Sequence, residues 1–570
     1  MYTSVRIQTG RKKKKSIWRR LFKVFMYTLL VLLIIIAGFI GYVVKVAKMD
    51  PPEIADRSIL KQHRVKMGPE TYRMGNNWLR KSNSGLYEMY VEGDAFERGV
   101  IYGRLADELV KRQEDHFVEQ IRKMIPNENY LKFLKYLIGF FNRDLDEHVI
   151  DEYRKEIYGV SFAGSPNYPY IGSNYERIMN YHAAHDIGHA LQNLALVGCT
   201  SFGTWNDKSA DSSLIIGRNF DFYVGDKFAE DKIIAFYKPK QGHKFMMVTW
   251  GGFTGVVSGM NDQGLTVTIN AAKSDYPTGA ATPVSLVARE ILQYAGNIKE
   301  AYAIAHKRTM FVSESFLIGS AADNRAAIIE KTPGALAIYE PNQNYITCAN
   351  HFQSDDLKGT ESNQKQIAES ASEYRFERLK ELMDRNGPNT VQNTINILRD
   401  HKGLKDENIG IGNEKAINQF IAHHSIVFKP KELKVWVSTA PWQEGEYVCY
   451  DLNTIFAMNG LTYDHEVRDT ANTIAADSFM LSNEYKSFIL FREAKAAVAA
   501  GSPVNTANLV SYDPQYYHAY VIAGDYEFKH KNFAAAKNYY KQALSKVIAT
   551  KGEEDHILKQ IVACDKALKK

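Results

Sequence analysis

The chain has 570 residues, of which 45% are hydrophobic and 12% aromatic, enough apolar material for two or three folded domains and too much for a disordered chain. Its formal net charge of +6 is local. Nine Lys or Arg and no acid lie in residues 1–23. The rest of the chain contains the other 62 of the 71 basic residues and all 65 acidic residues. The near-neutral body therefore gives no indication of a nucleic-acid partner.

The first predicted element is a membrane span. Residues 24–44 carry no charge and are rich in Leu, Ile and Val. As a helix, this segment is long enough to cross a bilayer core of about 30 Å. Residues 42–45 offer no small-residue cleavage site, so we predict an uncleaved signal anchor. The positive-inside rule places the basic tail, residues 1–23, in the cytoplasm and the rest outside, in the periplasm of a Gram-negative cell. Lys12 to Lys15 then belong to this tail rather than to a nucleic-acid patch.

A polar stretch and then a regular segment follow the span. Residues 45–85 contain Pro51-Pro52 and are predicted to form a stalk. Residues 86–91 have strand composition, and Asp94 with Glu97 three residues later matches a capping box that begins a helix.

The helix after this cap carries two glycines. Gly99 and Gly103 fall on one face, which would let another helix pack closely. Residues 104–196 are mostly helical by periodicity. We therefore treat 86–198 as one segment, a strand plus helices, ahead of the first candidate catalytic residue.

Three histidines lie near the end of the helical stretch: His182, His185 and His189. The last two are four residues apart, which is ligand spacing, but no acid is placed as in HExxH and Gly188 weakens the helix. We predict no metal site and expect a hydrogen-bonded structural role near residues 198 and 199.

A cysteine opens the next segment. Gly198 and Cys199 stand at the head of a short apolar strand, and a second strand brings Arg218 and Asp221, the arginine 19 residues after the cysteine. A thiol attacks as the thiolate, so a nucleophilic cysteine needs positive charge or a base nearby. Arg218 and a freed amine of Cys199 would supply both.

The remaining cysteines are Cys348, Cys449 and Cys564, and no pair has metal-ligand spacing. A structural zinc is therefore not predicted.

Residues 199–455 are predicted to form an α+β body, because short apolar runs alternate with Gly, Asn and Asp turns. The main predicted strands are 233–237, 245–250, 255–260, 265–269, 315–318, 326–330, 336–339, 436–439 and 447–451. Two helices are predicted between them, at 284–294 and 298–307. Strands, a helical pair and further strands favour two packed antiparallel sheets with helices outside.

The last segment, residues 456–570, is predicted to be all-α. Its spacing of Gly524, Ala536, Tyr540 and Ala543 resembles a tetratricopeptide unit. Because one repeat cannot bury its own face, we expect it to pack on a helix near 483–499. Binding of a partner protein is the other use for this surface.

Gly-Cys-Thr at 198–200, followed by Gly-Arg-Asn-x-Asp at 217–221, resembles the N-terminal-nucleophile hydrolases. The resemblance is to the penicillin acyltransferase (peptidase C45) type and its choloylglycine hydrolase relatives. It implies a four-layer αββα sandwich at 199–455 and cleavage between Gly198 and Cys199. Cys199 would then be nucleophile and, through its freed amine, also base.

The resemblance also implies a catalytic set: Cys199, Arg218, Asp221, Asn270, Asn350 and Arg375. Asp221 would accept a hydrogen bond from the freed amine, while the Asn270 backbone amide and the Asn350 side chain would donate to the oxyanion. Arg378 fits the place of Arg375 equally well. If Cys199 keeps no free amine, His351 and His185 are the alternative bases.

These residues predict a membrane-anchored, self-processing amidohydrolase or acyltransferase. It would act on a small-molecule N-acyl amide through a thioester on Cys199, with no cofactor. Hydrolysis and acyl transfer share that thioester and differ in the acceptor, water or an amine. The alternative is an inactive membrane-anchored scaffold that binds a partner through the C-terminal repeat, which leaves the ordered catalytic set unexplained.

Overall fold

The computed structural model describes residues 17–46, 48–124, 127, 142, 145–183, 186, 198–223, 225–273, 281–310, 312–462 and 466–569. The predicted His185 and His189 lie outside these residues. Within them the strands are β1 (Val65–Gly68), β2 (Thr71–Met74), β3 (Asn77–Lys81), β4 (Tyr87–Gly93), β5 (Thr200–Asn206), β6 (Ser212–Phe220), β7 (Ile233–Pro239), β8 (Phe245–Thr249), β9 (Ser258–Asn261), β10 (Leu265–Ala271), β11 (Glu314–Ser320), β12 (Arg325–Lys331), β13 (Leu336–Tyr339), β14 (Tyr345–Cys348), β15 (His424–Lys429), β16 (Lys434–Ser438), β17 (Tyr447–Asp451) and β18 (Asp469–Ile474).

The helices of the described residues are α1 (Ile17–Val46), α2 (Ala95–Leu105), α3 (Asp107–Met124), α4 (Asp151–Ser161), α5 (Asn174–His182), α6 (Val284–Tyr294), α7 (Ile298–Lys307), α8 (Glu361–Glu369), α9 (Ser372–Arg385), α10 (Val391–Leu398), α11 (Leu452–Ala457), α12 (Asn483–Ala499), α13 (Thr506–Tyr512), α14 (Tyr517–Lys529), α15 (Phe533–Ala543) and α16 (Lys551–Leu568). The α+β prediction is confirmed, and α6 and α7 have the predicted bounds.

The strands form two sheets. The first has the order β1-β2-β3-β4-β7-β8-β9-β10-β11-β12-β13 and is antiparallel except for β4 and β7, which run parallel with Tyr87 opposite Ile233. The second has the order β14-β5-β6-β15-β16-β17-β18 and is antiparallel throughout. The strand that precedes the cysteine in the chain, β4, is therefore an interior member of the first sheet.

Consecutive strand residues belong to different apolar clusters, as the two-residue period of a strand requires. Ile216 of β6 shares a cluster with Leu317 of β11 and joins the two sheets. Its neighbour Ile215 packs with α9 and α10. Phe316, next to Leu317, packs with α2 and α6. Apolar contacts thus bind the sheets to each other and bind helices to the opposite face of each sheet.

Two of the predicted segment assignments are wrong. Residues 65–81 do not belong to a stalk, because β1 to β3 extend the first sheet and bury Trp78, which stacks on Tyr90. The all-α prediction for 456–570 fails at β18, which pairs with β17. Both stretches are polar because they lie at sheet edges, where one side of each strand faces solvent, and their composition therefore resembles that of a linker.

Helix α1 covers the predicted span and exposes its apolar side chains along its length. Among the described residues it is the one helix long and apolar enough to cross a membrane, a property that signal sequences share.

Helix α2 begins as predicted, with the Asp94 N–H donating to the Glu97 carboxylate at 3.3 Å. Its glycine face lies against α4. A Cβ at Gly99 would be 2.0 Å from the main-chain oxygen of Glu156, so only glycine allows this approach.

We therefore expect Gly99→Ala to destabilise the chain by about 2–3 kcal/mol, because backbone rather than a flexible side chain must move. Gly552→Ala is the control: this exposed helical glycine has no neighbour closer than 3.9 Å, and alanine there should hold or raise stability. Thermal unfolding of the detergent-solubilised chains compares the two, and equal unfolding temperatures would contradict the packing argument.

Candidate active site

Cys199 lies immediately before β5 and is 1% exposed. On the neighbouring strand β6, Arg218 is paired with Ser201, which brings its guanidinium to the cysteine. Arg218 Nη2 donates to Cys199 Sγ at 3.6 Å and to the Ile269 carbonyl at 2.5 Å. Its Nη1 donates to the Val257 carbonyl at 3.1 Å. The cation is therefore held by main-chain dipoles and directed at the thiol.

Arg218 is also held through a side-chain relay. Its Nη1 donates to Ser258 Oγ at 2.5 Å, and Ser258 lies 2.9 Å from His424 Nε2. His424 Nδ1 lies 2.9 Å from His423 Nδ1, so one of these two nitrogens carries a proton and donates to the other. Burial lowers the pKa of both histidines well below the usual value, so both are neutral.

The thiol itself is protonated in the uncut chain. Burial raises the pKa of Cys199 to about 11, and Arg218 offsets only part of this effect. A cysteine with this pKa carries almost no thiolate at neutral pH. Attack therefore requires a base that takes the proton as the bond forms.

Both main-chain polar groups of Gly198 have hydrogen-bond partners. The Gly198 N–H donates to the Asp221 main-chain oxygen at 2.9 Å, and the Gly198 carbonyl accepts from Gln419 Nε2 at 2.7 Å. A Cβ at Gly198 would lie 2.4 Å from Gln419 Oε1, so the contact requires glycine. Gln419 is absent from the sequence prediction, and nothing in its local sequence marks it.

The Asp221 carboxylate is buried and incompletely satisfied. Its Oδ2 accepts from Gln419 Nε2 at 3.4 Å, while its Oδ1 has no hydrogen-bond partner among the described residues. Burial raises the pKa of Asp221 to about 7, although Arg375 and Arg218 act in the opposite direction. An acceptor without a donor thus lies next to the backbone of the candidate cleavage site.

The two predicted asparagines tie neighbouring strands together. Asn270 Nδ2 donates to the carbonyls of Cys348 and Ala349 at 3.2 and 3.1 Å, and its Oδ1 accepts from Ser201 at 2.9 Å. Asn350 Nδ2 donates to the Ala271 carbonyl at 2.9 Å. In the uncut chain both side-chain amides are therefore engaged with main-chain oxygens.

Of the two candidate arginines, Arg375 lies in this network. Its Nη2 donates to Asn350 Oδ1 at 2.5 Å and its Nη1 to the Glu414 carbonyl at 2.9 Å. Arg378 instead pairs with Asp400 and Asp406 at 2.9 and 2.8 Å. The two side chains lie three positions apart on α9 and reach different partners.

The histidines considered from sequence have other contacts. His351 Nδ1 lies 2.8 Å from Ser372 Oγ, and His182 contacts the Ile178 carbonyl and Thr254 at 2.8 and 2.9 Å. Burial lowers the pKa of each to about 4. Neither bonds to Cys199 in the described part of the chain.

Sequence reasoning also missed a buried carboxyl, Glu314, which pairs with Ala271 across β10 and β11. Neither of its carboxyl oxygens has a hydrogen-bond partner within the described residues. Burial, with a contribution from Asp186, raises its pKa well above the usual range, so the group is held neutral. The available signal was an acid at the head of the otherwise apolar strand Glu-Ser-Phe-Leu-Ile-Gly-Ser.

The C-terminal helices contact the segment that carries Gln419. The Ile411 N–H donates to Asp513 at 2.9 Å, Asn413 Nδ2 donates to the Val547 carbonyl at 2.9 Å, and a Cβ at Gly410 would lie 2.4 Å from Tyr516. As predicted, these helices also pack on α12, through Phe488 and Phe491. The extension is therefore docked on the body beside the candidate site.

Comparison with known proteins gives a family for part of the chain. Residues 205–441 match the family model of acyl-coenzyme A:6-aminopenicillanic acid acyl-transferase. An uncharacterized protein of Archaeoglobus fulgidus is 23% identical over 443 residues, 70% of this chain and 71% of that protein. Protein dcd1B of Dictyostelium discoideum is 21% identical over 288 residues, 47% of this chain and 54% of that protein.

Two solved structures are similar to parts of the chain. The Caenorhabditis elegans ortholog of N-acylethanolamine-hydrolyzing acid amidase aligns with 20% identity and a TM-score of 0.29, over 41% of this chain and 93% of that one. A variant of the conjugated bile acid hydrolase from Clostridium perfringens aligns with 11% identity and a TM-score of 0.32, over 47% and 99%. The family match covers less than half of the chain and indicates similarity to an acyl-transferase over those residues.

The pKa of Asp221 predicts a pH-dependent stability in the uncut chain. Its folded pKa of about 7 lies above the unfolded value near 3.9, so folding takes up a proton and stability falls as pH rises from about 4 to about 7. In a Cys199→Ala background that cannot be cut, Asp221→Asn should add about 2–4 kcal/mol at pH 8 and almost nothing at pH 4. Thermal unfolding at both pH values measures the stability of the two variants. A stability difference between them that does not change with pH would contradict the prediction.

Proposed function

We propose that this chain is a self-processing cysteine N-terminal-nucleophile enzyme that transfers the acyl group of N-acyl amides to water or to an amine. The observation that carries the proposal is the environment of the Gly198–Cys199 peptide: Arg218 contacts the thiol, and one carboxylate oxygen of Asp221 has no donor among the described residues. Cleavage of this peptide would create the missing donor, an ammonium at Cys199. The match to an acyl-transferase family supports the same reaction class, the transfer of an acyl group.

Processing follows from these contacts. Cys199 Sγ attacks the Gly198 carbonyl carbon, the thiol proton passes to the departing Cys199 nitrogen, and a thioester to Gly198 replaces the peptide bond. Water then attacks the thioester, which releases the Gly198 carboxylate and restores the thiol. The products are residues 1–198 and residues 199–570, the second with a free α-amine on Cys199.

Turnover uses that amine as the base. An α-amine titrates near 7.7–8.0 and takes the thiol proton at neutral pH, while Asp221 stabilises the ammonium and Arg218 the thiolate. The thiolate attacks the acyl carbonyl of the substrate, the substrate amine leaves with the proton, and water or another amine resolves the thioester. The Asn270 backbone N–H and the Asn350 side chain are assigned to the oxyanion, with Arg375 orienting Asn350.

We place this site in a four-layer αββα sandwich outside the cytoplasmic membrane, with α1 as the anchor. No observation favours the inactive-scaffold alternative. The C-terminal helices already pack on the body of this chain, through Tyr516 and Tyr517. Binding of a partner protein by the remaining surface stays a separate proposal.

Loss of the thiol should abolish both processing and activity. We expect Cys199→Ala to remain one uncut chain without amidase activity and Cys199→Ser to be cut slowly, since a hydroxyl is the weaker nucleophile at neutral pH. Cys564→Ala, which removes a buried cysteine of α16, is the control and should be cut and active. Intact mass measures cleavage, and a panel of N-acyl amides measures activity. A wild type that stays uncut and still hydrolyses amides would refute the free-amine mechanism.

The cut chains should remain associated, because β4 pairs with β7 over seven residues across the two products. They should copurify in mild detergent and separate only in denaturant.

The anchor predicts an outside location for the body. Protease added to spheroplasts should digest residues beyond α1 while a cytoplasmic marker stays intact. Digestion that occurs only after lysis would reverse the assigned orientation.

A further inference from the structure

We infer that Gln419 is a catalytic residue of the self-cleavage step, the donor that stabilises the oxyanion formed on Gly198. The inference rests on the proposed function, since it concerns the same scissile bond. When Sγ attacks the Gly198 carbonyl, the carbon becomes tetrahedral and its oxygen takes up negative charge. Gln419 Nε2 already donates to that oxygen at 2.7 Å, and a donor in this place binds an oxyanion more strongly than a carbonyl.

One donor assigned to turnover, the Asn350 side chain, is engaged elsewhere in the uncut chain. Its amide nitrogen donates to the Ala271 carbonyl at 2.9 Å. Within the described residues, the Gly198 oxygen accepts its side-chain hydrogen bond from Gln419. We therefore assign the processing step a side-chain donor of its own, Gln419.

The Gln419 amide is held in position by its contacts. The same Nε2 that donates to Gly198 also lies 3.4 Å from Asp221 Oδ2, which orients the amide plane. Its amide fills the space where a Gly198 side chain would be, with the three nearest atoms 2.4 to 2.9 Å from that Cβ position. Gln419, Gly198 and Asp221 thus fit together as one buried unit.

The residues that flank Gln419 are fixed as well. Asn418 donates through its side chain to Glu444 at 2.6 Å and through its backbone to the Asp400 carbonyl at 2.8 Å. Phe420 has a φ of 54°, an unusual value for a bulky residue, and its ring packs against Phe488 of α12. Strained backbone of this kind is retained where neighbouring packing determines it, often at reactive sites. The donor is therefore preorganised rather than supplied by a mobile side chain.

The test is the rate of chain cleavage in freshly synthesised full-length protein, followed by intact mass. Gln419→Ala should slow cleavage by about 10²- to 10³-fold, the usual loss for one oxyanion donor. Gln443→Ala is the matched control: this buried glutamine donates to the Leu398 carbonyl at 3.4 Å and does not touch Gly198, so its variant should be cut at the wild-type rate.

An isosteric variant separates donation from packing. Gln419→Glu keeps the shape, but its carboxylate cannot donate, so cleavage should fail at pH 8 and recover relative to wild type as acidification protonates the carboxyl. A merely structural role would give no such recovery. If Gln419→Ala does not fold by thermal unfolding, the pH profile of Gln419→Glu decides alone.

The outcomes are distinct. Two results would overturn the role of Gln419 and leave the proposed enzyme intact. One is a wild-type cleavage rate in Gln419→Ala; the other is a ratio of the Gln419→Glu rate to the wild-type rate that does not change with pH. A wild type that is never cut would overturn the proposed function and this inference with it.

Discussion

The burial of one peptide bond, Gly198–Cys199, is the constraint on which the site depends. Its carbonyl accepts from Gln419, and the adjacent thiol accepts from Arg218. The N–H of the preceding peptide, that of Gly198, donates to the Asp221 main chain. A buried peptide must satisfy its polar groups within the protein, so these partners have to be placed accurately for the chain to fold at all. The same requirement aligns the groups that the proposed cleavage uses.

The charges around this bond are poorly compensated. Burial lowers the pKa of Arg218 and Arg375 and raises those of Asp221 and Glu314, each shift favouring the neutral form. Removing a charge from water without a close partner costs stability, which the apolar clusters between and outside the sheets must offset. A new ammonium at Cys199 would give Asp221 the opposite charge that it lacks.

The segment boundaries predicted from the sequence do not separate independent structural units. Residues before the proposed cleavage site supply β1 to β4 of the first sheet, and residues after the body supply β18 and the helices that hold the segment from Ile411 to Phe420. Both ends of the chain therefore stabilise the site from opposite sides. This explains why the products of the proposed cleavage would act as one folded unit.

Much of the local structure follows from sequence alone. Short apolar runs bounded by turn residues predict β7 to β13, and two helices are predicted at α6 and α7, because these elements are largely buried. Cys199, Arg218 and Asp221 could be proposed because two paired strands bring them together over a short sequence distance. The polar strands β1, β2 and β18 could not be found. Strands β1 and β18 are edge strands and β2 lies next to β1, so their residues are partly exposed and resemble those of a loop. The contact of Gln419 with Gly198 joins positions 221 residues apart, and the choice of Arg375 over Arg378 depends on which side of α9 faces Asn350. Local sequence determined which residues can do chemistry, whereas tertiary packing decided which of them meet, because a contact between distant segments leaves no periodic or compositional trace in either one.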